Sequence, residues 1–114
     1  MEQAAKNLAR KQCIPCEEGV SPLDAKEQSF YLKQLGGNWQ IIQGHHLYKK
    51  FIFTNFIGAL NFANKIAKIA EAEGHHPDLK ITWGACEVEI YTHKINGLVD
   101  SDFYLAAKIE ELDS

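Results

Sequence analysis

Histidines grouped in one short stretch are the residues whose type and spacing best suit chemistry. His75 and His76 are adjacent, and His93 lies at the far end of the same stretch. Histidine has an ordinary pKa near neutrality, so a group of histidines can donate and accept protons at physiological pH. The pattern predicts acid–base chemistry on a small polar ring substrate, with Trp83 or Trp39 as an aromatic wall.

Two other interpretations fit the same histidines. In a metal site, a carboxylate from Glu71 or Asp78 would join the three imidazoles, although the sequence has neither HxH nor HExxH spacing. In a purely structural arrangement, the imidazoles would cover polar surface and interact with the negative end of a helix dipole. The residues alone leave all three interpretations open.

A mechanism based on a nucleophile has less support. The sequence contains no GxSxG motif and no phosphate-binding glycine loop. Cys86 falls in what we expect to be a polar hairpin turn, without a partner that would activate its thiol. Proton transfer by histidine is therefore the main catalytic hypothesis.

The composition is that of an ordinary soluble domain. The chain has 114 residues, of which 46% are hydrophobic and 24% charged, and its net charge of −3 gives no electrostatic footprint for nucleic acid or acidic membranes. Residues 51–60 form the longest nearly apolar run, which is too short and too polar to span a bilayer. Three cysteines and the absence of an apolar leader segment indicate a reducing, cytoplasmic compartment.

We interpret residues 1–20 as an extension that precedes a domain at residues 21–114. Residues 3–11 can form a short helix, but they carry little that would pack it firmly. Cys13 and Cys16 form a CIPC motif, which is half of a tetrahedral zinc site or a redox pair. Because no second CxxC exists, a packed or idle arm is the third alternative.

Turn and capping signals predict the order helix, hairpin, helix, hairpin, helix after the extension. The predicted helices run from a Ser21 cap with Pro22 at the first position to Leu35, from a Thr54 or Asn55 cap to Glu73, and from an Asp100 or Ser101 cap to Leu112. The predicted strands comprise residues 39–43, 46–53, 81–83 and 86–93. This order is typical of an α+β domain, an antiparallel four-stranded sheet with helices packed on one face.

These elements place the histidines. Gly74 ends the long helix, so His75 and His76 occupy a short, stiff connection directly after it. His93 is expected to end a strand on its polar face. A second pair, His45 and His46, falls at the turn of the first hairpin, where we expect solvated side chains. The sheet has edge strands that can pair with another subunit, so a homo-oligomer is expected.

A longer pattern around the histidines resembles that of the pterin-4a-carbinolamine dehydratases. The family pattern is an acidic residue, three positions, His-His-Pro, five positions, an aromatic residue, nine positions, a histidine and a later aspartate. The chain matches it with Glu71, His75, His76, Pro77, Trp83, His93 and Asp102. The resemblance extends from about residue 21 to the C-terminus.

The resemblance implies a reaction, the loss of water from a 4a-hydroxytetrahydropterin to give a quinonoid dihydropterin. This step recycles the tetrahydrobiopterin cofactor of aromatic amino acid hydroxylases, and it needs no metal or organic cofactor in the family. The resemblance makes His75, His76 and His93 catalytic. His75 and His93 form the main acid–base pair, and His76 is a stand-in or orients the substrate.

The resemblance also implies a set of substrate-binding residues. Pro77 would fix the geometry of the two histidines before it, and Glu71 would orient a histidine from the last helical turn. Lys94 departs from the acidic residue of animal members. The implied set comprises Trp39, Glu71, Pro77, Tyr91, Thr92 and Lys94.

Some family members are interaction partners, notably dimerisation cofactors of a homeodomain transcription factor. A protein-interaction module is therefore the second hypothesis, and a pterin-handling role in molybdopterin metabolism is the third. The intact histidine triad favours an enzyme, because a pure binder has no need for three histidines at these spacings. The expected partners are a pterin and further copies of the chain, as a homodimer or homotetramer, without direct nucleic-acid or membrane binding.

Overall fold

A computed structural model describes residues 2–13 and 21–112, and there it shows the predicted α+β architecture. The helices are α1 Glu2–Arg10, α2 Ala25–Leu35, α3 Phe56–Glu73 and α4 Asp100–Glu110. The strands are β1 Gln40–Ile42, β2 His46–Ile52, β3 Asp78–Thr82 and β4 Ala85–Ile90. Within these residues, none of the helices combines the length and apolarity needed to cross a membrane.

The four strands form one antiparallel sheet in the order β1-β2-β4-β3. The two hairpins join through β2 and β4, where Leu47 lies opposite Ile90. Leu47, Val88 and Ile90 are buried, whereas Lys50 on β2 is exposed. Since neighbouring residues of a strand point to opposite faces, this alternation leaves one face for the helices and the other for solvent, as predicted.

Both ends of the long helix α3 lie where the sequence predicts them. At its start, the Asn55 side chain accepts a hydrogen bond of 2.8 Å from the Gly58 N–H. At its end, Gly74 adopts a left-handed conformation with φ of 64° and donates to the Ala70 carbonyl. A side chain with a Cβ is strained in that conformation, so the glycine fixes the position at which the chain leaves the helix.

The helix α2 begins later than predicted. The sequence favoured Ser21 as the cap and Pro22 as the first helical residue, but the helix starts at Ala25. The Asp24 side chain accepts a hydrogen bond from the Glu27 N–H, and the Glu27 side chain accepts one from the Asp24 N–H. This reciprocal capping box satisfies two amides at once and therefore sets the start.

The expectation that the first helix packs weakly is wrong. Leu8 is 1% exposed and Ala9 is also buried, both within the main core. The Lys108 ammonium of α4 donates to the Ala9 carbonyl, which satisfies an acceptor at the end of α1. Burial of a leucine side chain contributes roughly 1.5–3 kcal/mol to the packing of α1 against α4.

The second hairpin also differs from the prediction at both ends. β3 begins at Asp78, and β4 ends at Ile90 rather than at His93. After β4, the Thr92 N–H donates to the Gly97 carbonyl in an isolated bridge. Residues 92–97 thus form a tight turn, called the His93 turn below, and His93 lies in it instead of on a strand.

Candidate active site

A cavity of about 220 Å³ lies where α3 ends and the His93 turn begins. It is lined by Gly74, His75, His76, Tyr91, Thr92, His93 and Lys94. The Gly74 stop delivers two histidines to one side, and the chain leaving β4 delivers the third. The structure therefore brings all three histidines selected from the sequence to one cavity.

His75 is held by a fully buried carboxylate. Its Nε2 lies 2.5 Å from Oδ1 of Asp102, a residue of the first turn of α4 that is 0% exposed. The other oxygen, Oδ2, accepts hydrogen bonds from the Thr92 hydroxyl at 2.9 Å and from the Val99 N–H at 2.8 Å. These contacts fix the imidazole with Nε2 toward the carboxylate, which leaves Nδ1 for proton exchange with a substrate.

His76 has a partner of the opposite kind. Its Nε2 contacts Oε2 of Glu71, one helical turn earlier, but the two side chains are 58% and 78% exposed. Solvent screens an ion pair in this position and allows both side chains to move. His76 thus reaches the cavity rim from the same dipeptide as His75 with a much weaker hold.

His93 reaches the cavity from the His93 turn. Its Nε2 lies 3.8 Å from Oδ2 of Asp78, at the start of β3. Its ring stands beside the ring of Tyr91, with centroids 4.3 Å apart. Tyr91 therefore supplies the aromatic wall of the cavity.

The structure brings neither tryptophan to this wall, which corrects the sequence-based expectation. Trp39 is 5% exposed, packs against Phe51 and donates its indole N–H to Glu110 at 2.9 Å. It directly precedes β1, belongs to the hydrophobic core and is not among the residues that line the cavity. Trp83 is 71% exposed in the turn between β3 and β4. Pro77 follows His76 and leads into β3.

Thr92 and Lys94 both line the cavity on either side of His93. Thr92 is buried, and its hydroxyl is engaged by Asp102. It is therefore suited to holding the carboxylate in place. Lys94 is exposed and brings a positive charge to the cavity rim.

The thiols of Cys13 and Cys86 are protonated at neutral pH. Cys86 is fully buried in β4, so its expected place in a polar turn is wrong. Burial, and then the charge of Glu87, raise its pKa to about 11. Burial, and then the charge of Glu73, raise the pKa of Cys13 to about 12. Only a thiolate is an effective nucleophile or ligand, so neither thiol is poised to react.

The metal interpretations have no geometric support in the described part of the chain. Across residues 2–13 and 21–112, no group of three or more His, Cys, Asp or Glu side chains is arranged to hold a metal ion. Cys13 donates through its thiol to the Ser101 carbonyl at 3.4 Å. Its CIPC partner, Cys16, lies outside the described residues, and so do the zinc and redox alternatives for the motif as a whole.

Sequence reasoning missed two features of this region. It noted Asp102 as part of the longer pattern but gave it no role, because burial of a carboxylate leaves no local signal. It also treated His45 and His46 as solvated, whereas both are half-buried near Tyr91. The pairing of Leu47 with Ile90 brings them there, and that long-range register is not visible in either strand alone.

The fold and the cavity define a small α+β protein in which three histidines line one cavity. Comparison with known proteins gives the class a family. The family model described as pterin 4 alpha carbinolamine dehydratase matches residues 21–112. The chain belongs to this family of hydro-lyases, as the resemblance in its sequence implied.

Individual relatives agree with the family match. A protein of Rickettsia canadensis (strain McKiel), provisionally named pterin-4-alpha-carbinolamine dehydratase, is 61% identical over 103 residues, which are 90% of this chain and 94% of the relative. A protein of Alkaliphilus metalliredigens (strain QYMF) with the same provisional name is 47% identical over 108 residues, 95% and 97% of the two chains. A crystal structure of a transcriptional coactivator/pterin dehydratase from Brucella melitensis superposes with a TM-score of 0.72 at 30% identity, covering 79% and 96%.

Proposed function

We propose that this protein dehydrates a 4a-hydroxytetrahydropterin to a quinonoid dihydropterin by histidine acid–base catalysis, in the recycling of tetrahydrobiopterin. Family membership supports the substrate class. The observation that carries the mechanism is the placement of His75, fixed by buried Asp102, and His93 in one cavity. Two imidazoles that line the same cavity provide both proton transfers that a dehydration requires.

Each of the two imidazoles carries out one proton transfer. The substrate is a carbinolamine, in which a hydroxyl group and a ring nitrogen share one carbon. Protonated His93 donates a proton to the departing hydroxyl, the C–O bond breaks, and water leaves. Neutral His75 accepts the ring-nitrogen proton at Nδ1 as the C=N bond forms. His76 orients the ring or substitutes for one of the pair.

The remaining cavity residues bind the substrate. Tyr91 packs its ring beside the pterin, Thr92 fixes Asp102, and Lys94 contacts a polar ring substituent from the rim. Glu71 orients His76. Pro77 restricts the backbone of His76, because the residue before a proline favours extended conformations.

Stopped-flow measurement of dehydration tests this function. The wild type should accelerate the reaction above the buffer rate, and His93→Ala should lower kcat by roughly 10²–10⁴-fold. Lys50→Ala, an exposed position on β2, is the matched control and should retain the wild-type rate. No acceleration by the folded wild type would remove the proposal.

A protein-interaction role is the second candidate, favoured by the description of the Brucella structure as a transcriptional coactivator as well as a dehydratase.

We propose further that the chain forms a homodimer or homotetramer. β1 and β3 are edge strands, and Ile52, Phe56 and Ile57 are exposed apolar side chains. Light scattering coupled to gel filtration measures the assembly, and a monomer at micromolar concentration would contradict it.

We also propose a cytoplasmic location and a division of the chain into an extension, residues 1–20, and a catalytic domain, residues 21–114. The free thiols of Cys13 and Cys86 support a reducing compartment. The family match to residues 21–112 supports the boundary. The burial of Leu8 adds that the extension is anchored to the core of the domain.

A further inference from the structure

The second histidine pair lies next to the proposed active site but does not line its cavity. His45 sits at the turn between β1 and β2, and His46 begins β2. Because Leu47 pairs with Ile90, this turn and the His93 turn emerge side by side at the same end of the sheet. Two loops that are distant in sequence are therefore neighbours in space.

A hydrogen bond joins the two turns. Nε2 of His45 lies 2.7 Å from Oδ1 of Asn96. Asn96 adopts a left-handed backbone with φ of 53°, and its N–H donates to the His93 carbonyl at 3.2 Å. The residue that His45 holds is therefore the residue that closes the turn around His93.

A second contact runs through Tyr91. The ring centroid of Tyr91 is 4.5 Å from that of His45 and 4.3 Å from that of His93. Tyr91 thus lies between the two imidazoles and limits the positions that each can take. The hydrogen bond between His45 and Asn96 restricts the backbone of the His93 turn. The ring contacts through Tyr91 restrict the side chain of His93.

Both ring nitrogens of His45 have partners. The side-chain oxygen of Asn96 only accepts hydrogen bonds, so Nε2 of His45 donates to it. Nδ1 of His45 lies 3.0 Å from Nδ1 of His46. These two contacts hold the imidazole of His45 in one orientation, which a solvated side chain would not have.

We propose that His45 is a positioning residue that holds the His93 turn in its catalytic geometry. This inference rests on the proposed function, in which His93 transfers a proton. His45 does not reach the cavity lining and acts through Asn96 and Tyr91. Glutamine can reproduce the donor at Nε2 without the ring, and phenylalanine can reproduce the ring without the donor.

The test compares kcat and KM for dehydration by the wild type, His45→Ala, His45→Gln and His45→Phe. Gln40→Ala, an exposed position on the same hairpin, is the control and should match the wild type. We expect His45→Ala to lower kcat roughly 3- to 10-fold with a smaller change in KM, the scale of one lost hydrogen bond. His45→Gln should recover most of the loss. In an Asn96→Ala background, His45→Ala should have little further effect.

A second readout does not depend on catalysis. In NMR spectra, the imidazole signals of His93 should shift and broaden in His45→Ala, those of His75 should not, and Gln40→Ala should leave both unchanged. Unchanged His93 signals in a folded His45→Ala variant would overturn the inference. If the wild type itself fails to dehydrate the pterin while the His93 signals respond, the proposed function fails and the positioning role stands.

Discussion

His75 and His76 are neighbours in the chain, but His75 is held by a buried carboxylate and His76 contacts a carboxylate that is exposed to solvent. Asp102, the partner of His75, is fully buried and accepts two further hydrogen bonds. Glu71, the partner of His76, is a surface residue of the preceding helical turn. The same residue type at adjacent positions therefore has a fixed orientation in one case and a mobile one in the other.

The difference indicates how the labour is divided. Proton transfer requires a group that stays within hydrogen-bond reach of the reacting atom, and a rigid surround supplies that before the substrate arrives. His75 meets this requirement. His76 is suited to a role that tolerates movement, such as contact with the substrate ring as it enters. The predictions below test this contrast, from the largest expected effect to the smallest.

Truncation of the two histidines should have very different consequences. His75→Ala should lower kcat by roughly 10²–10⁴-fold, because it removes a positioned proton-transfer group. His75→Ala should also lower the free energy of unfolding by about 1–3 kcal/mol, because the buried Oδ1 of Asp102 loses its hydrogen-bond donor. His76→Ala should lower kcat about tenfold at most. Stopped-flow rates and urea unfolding measure both, and equal losses of kcat would contradict the contrast.

The carboxylates should show the same order. Asp102→Asn retains the shape of the side chain but puts an amide among three hydrogen-bond donors, so unfolding should become easier by about 1–3 kcal/mol. Glu71→Gln should change stability by less than about 0.5 kcal/mol, and added salt should remove the difference. Urea titrations at two salt concentrations provide the comparison. A larger loss from Glu71→Gln would reverse the assignment.

Substitutions at Thr92 test whether its hydroxyl helps to hold the buried carboxylate of Asp102. Thr92→Val keeps the shape and removes the hydroxyl that donates to Asp102. The free energy of unfolding should fall by about 1 kcal/mol, with a modest decrease of kcat. Thr92→Ser keeps the donor and is the control. If valine and serine behave alike in urea unfolding and in kinetics, the hydrogen bond has no role in holding Asp102.

Cys13 should give the smallest effect on the rate. Its thiol donates to the Ser101 carbonyl, next to Asp102, and serine can keep that bond, so Cys13→Ser should retain kcat within about twofold. The raised pKa of Cys13 means that the folded state keeps the thiol proton to about pH 12, against 9.0 for an ordinary thiol. Stability from this group is complete below pH 9 and is lost as the pH rises toward 12.

Chemical denaturation at about pH 8 and about pH 10.5 checks the sign of this linkage. The wild type should lose more stability between the two conditions than Cys13→Ser, which lacks the thiol and shares every other titrating group. A greater loss in the serine variant would mean that the thiol of Cys13 is not held in its protonated form.

Local signals predicted most of the fold. Asn55 and Gly74 act within one helical turn of their own positions, so the sequence alone sets both ends of α3. The helix α2 shows the limit of such signals, since Ser21 and Asp24 compete as caps and the reciprocal pair with Glu27 decides the outcome. The end of β4 was misplaced because a bridge between Thr92 and Gly97 replaces the strand there.

The site was harder to predict than the fold. The spacing of the three histidines selected the residues that line the cavity, with help from the family resemblance. The placement of Trp39 depends on strand register and on its hydrogen bond to Glu110, a residue 71 positions later. The contact between His45 and Asn96 spans 51 positions. Contacts of this kind follow from the assembled sheet, so neither stretch of sequence reveals them.

The most direct test of the account is the dehydration rate of 4a-hydroxytetrahydropterin with the wild type beside the His75→Ala/His93→Ala double variant. Circular dichroism and thermal unfolding must first show that both proteins are folded. We predict acceleration by the wild type and a rate close to that of buffer with the double variant, since both proton-transfer groups are gone. Equal rates with two folded proteins would contradict catalysis at this cavity.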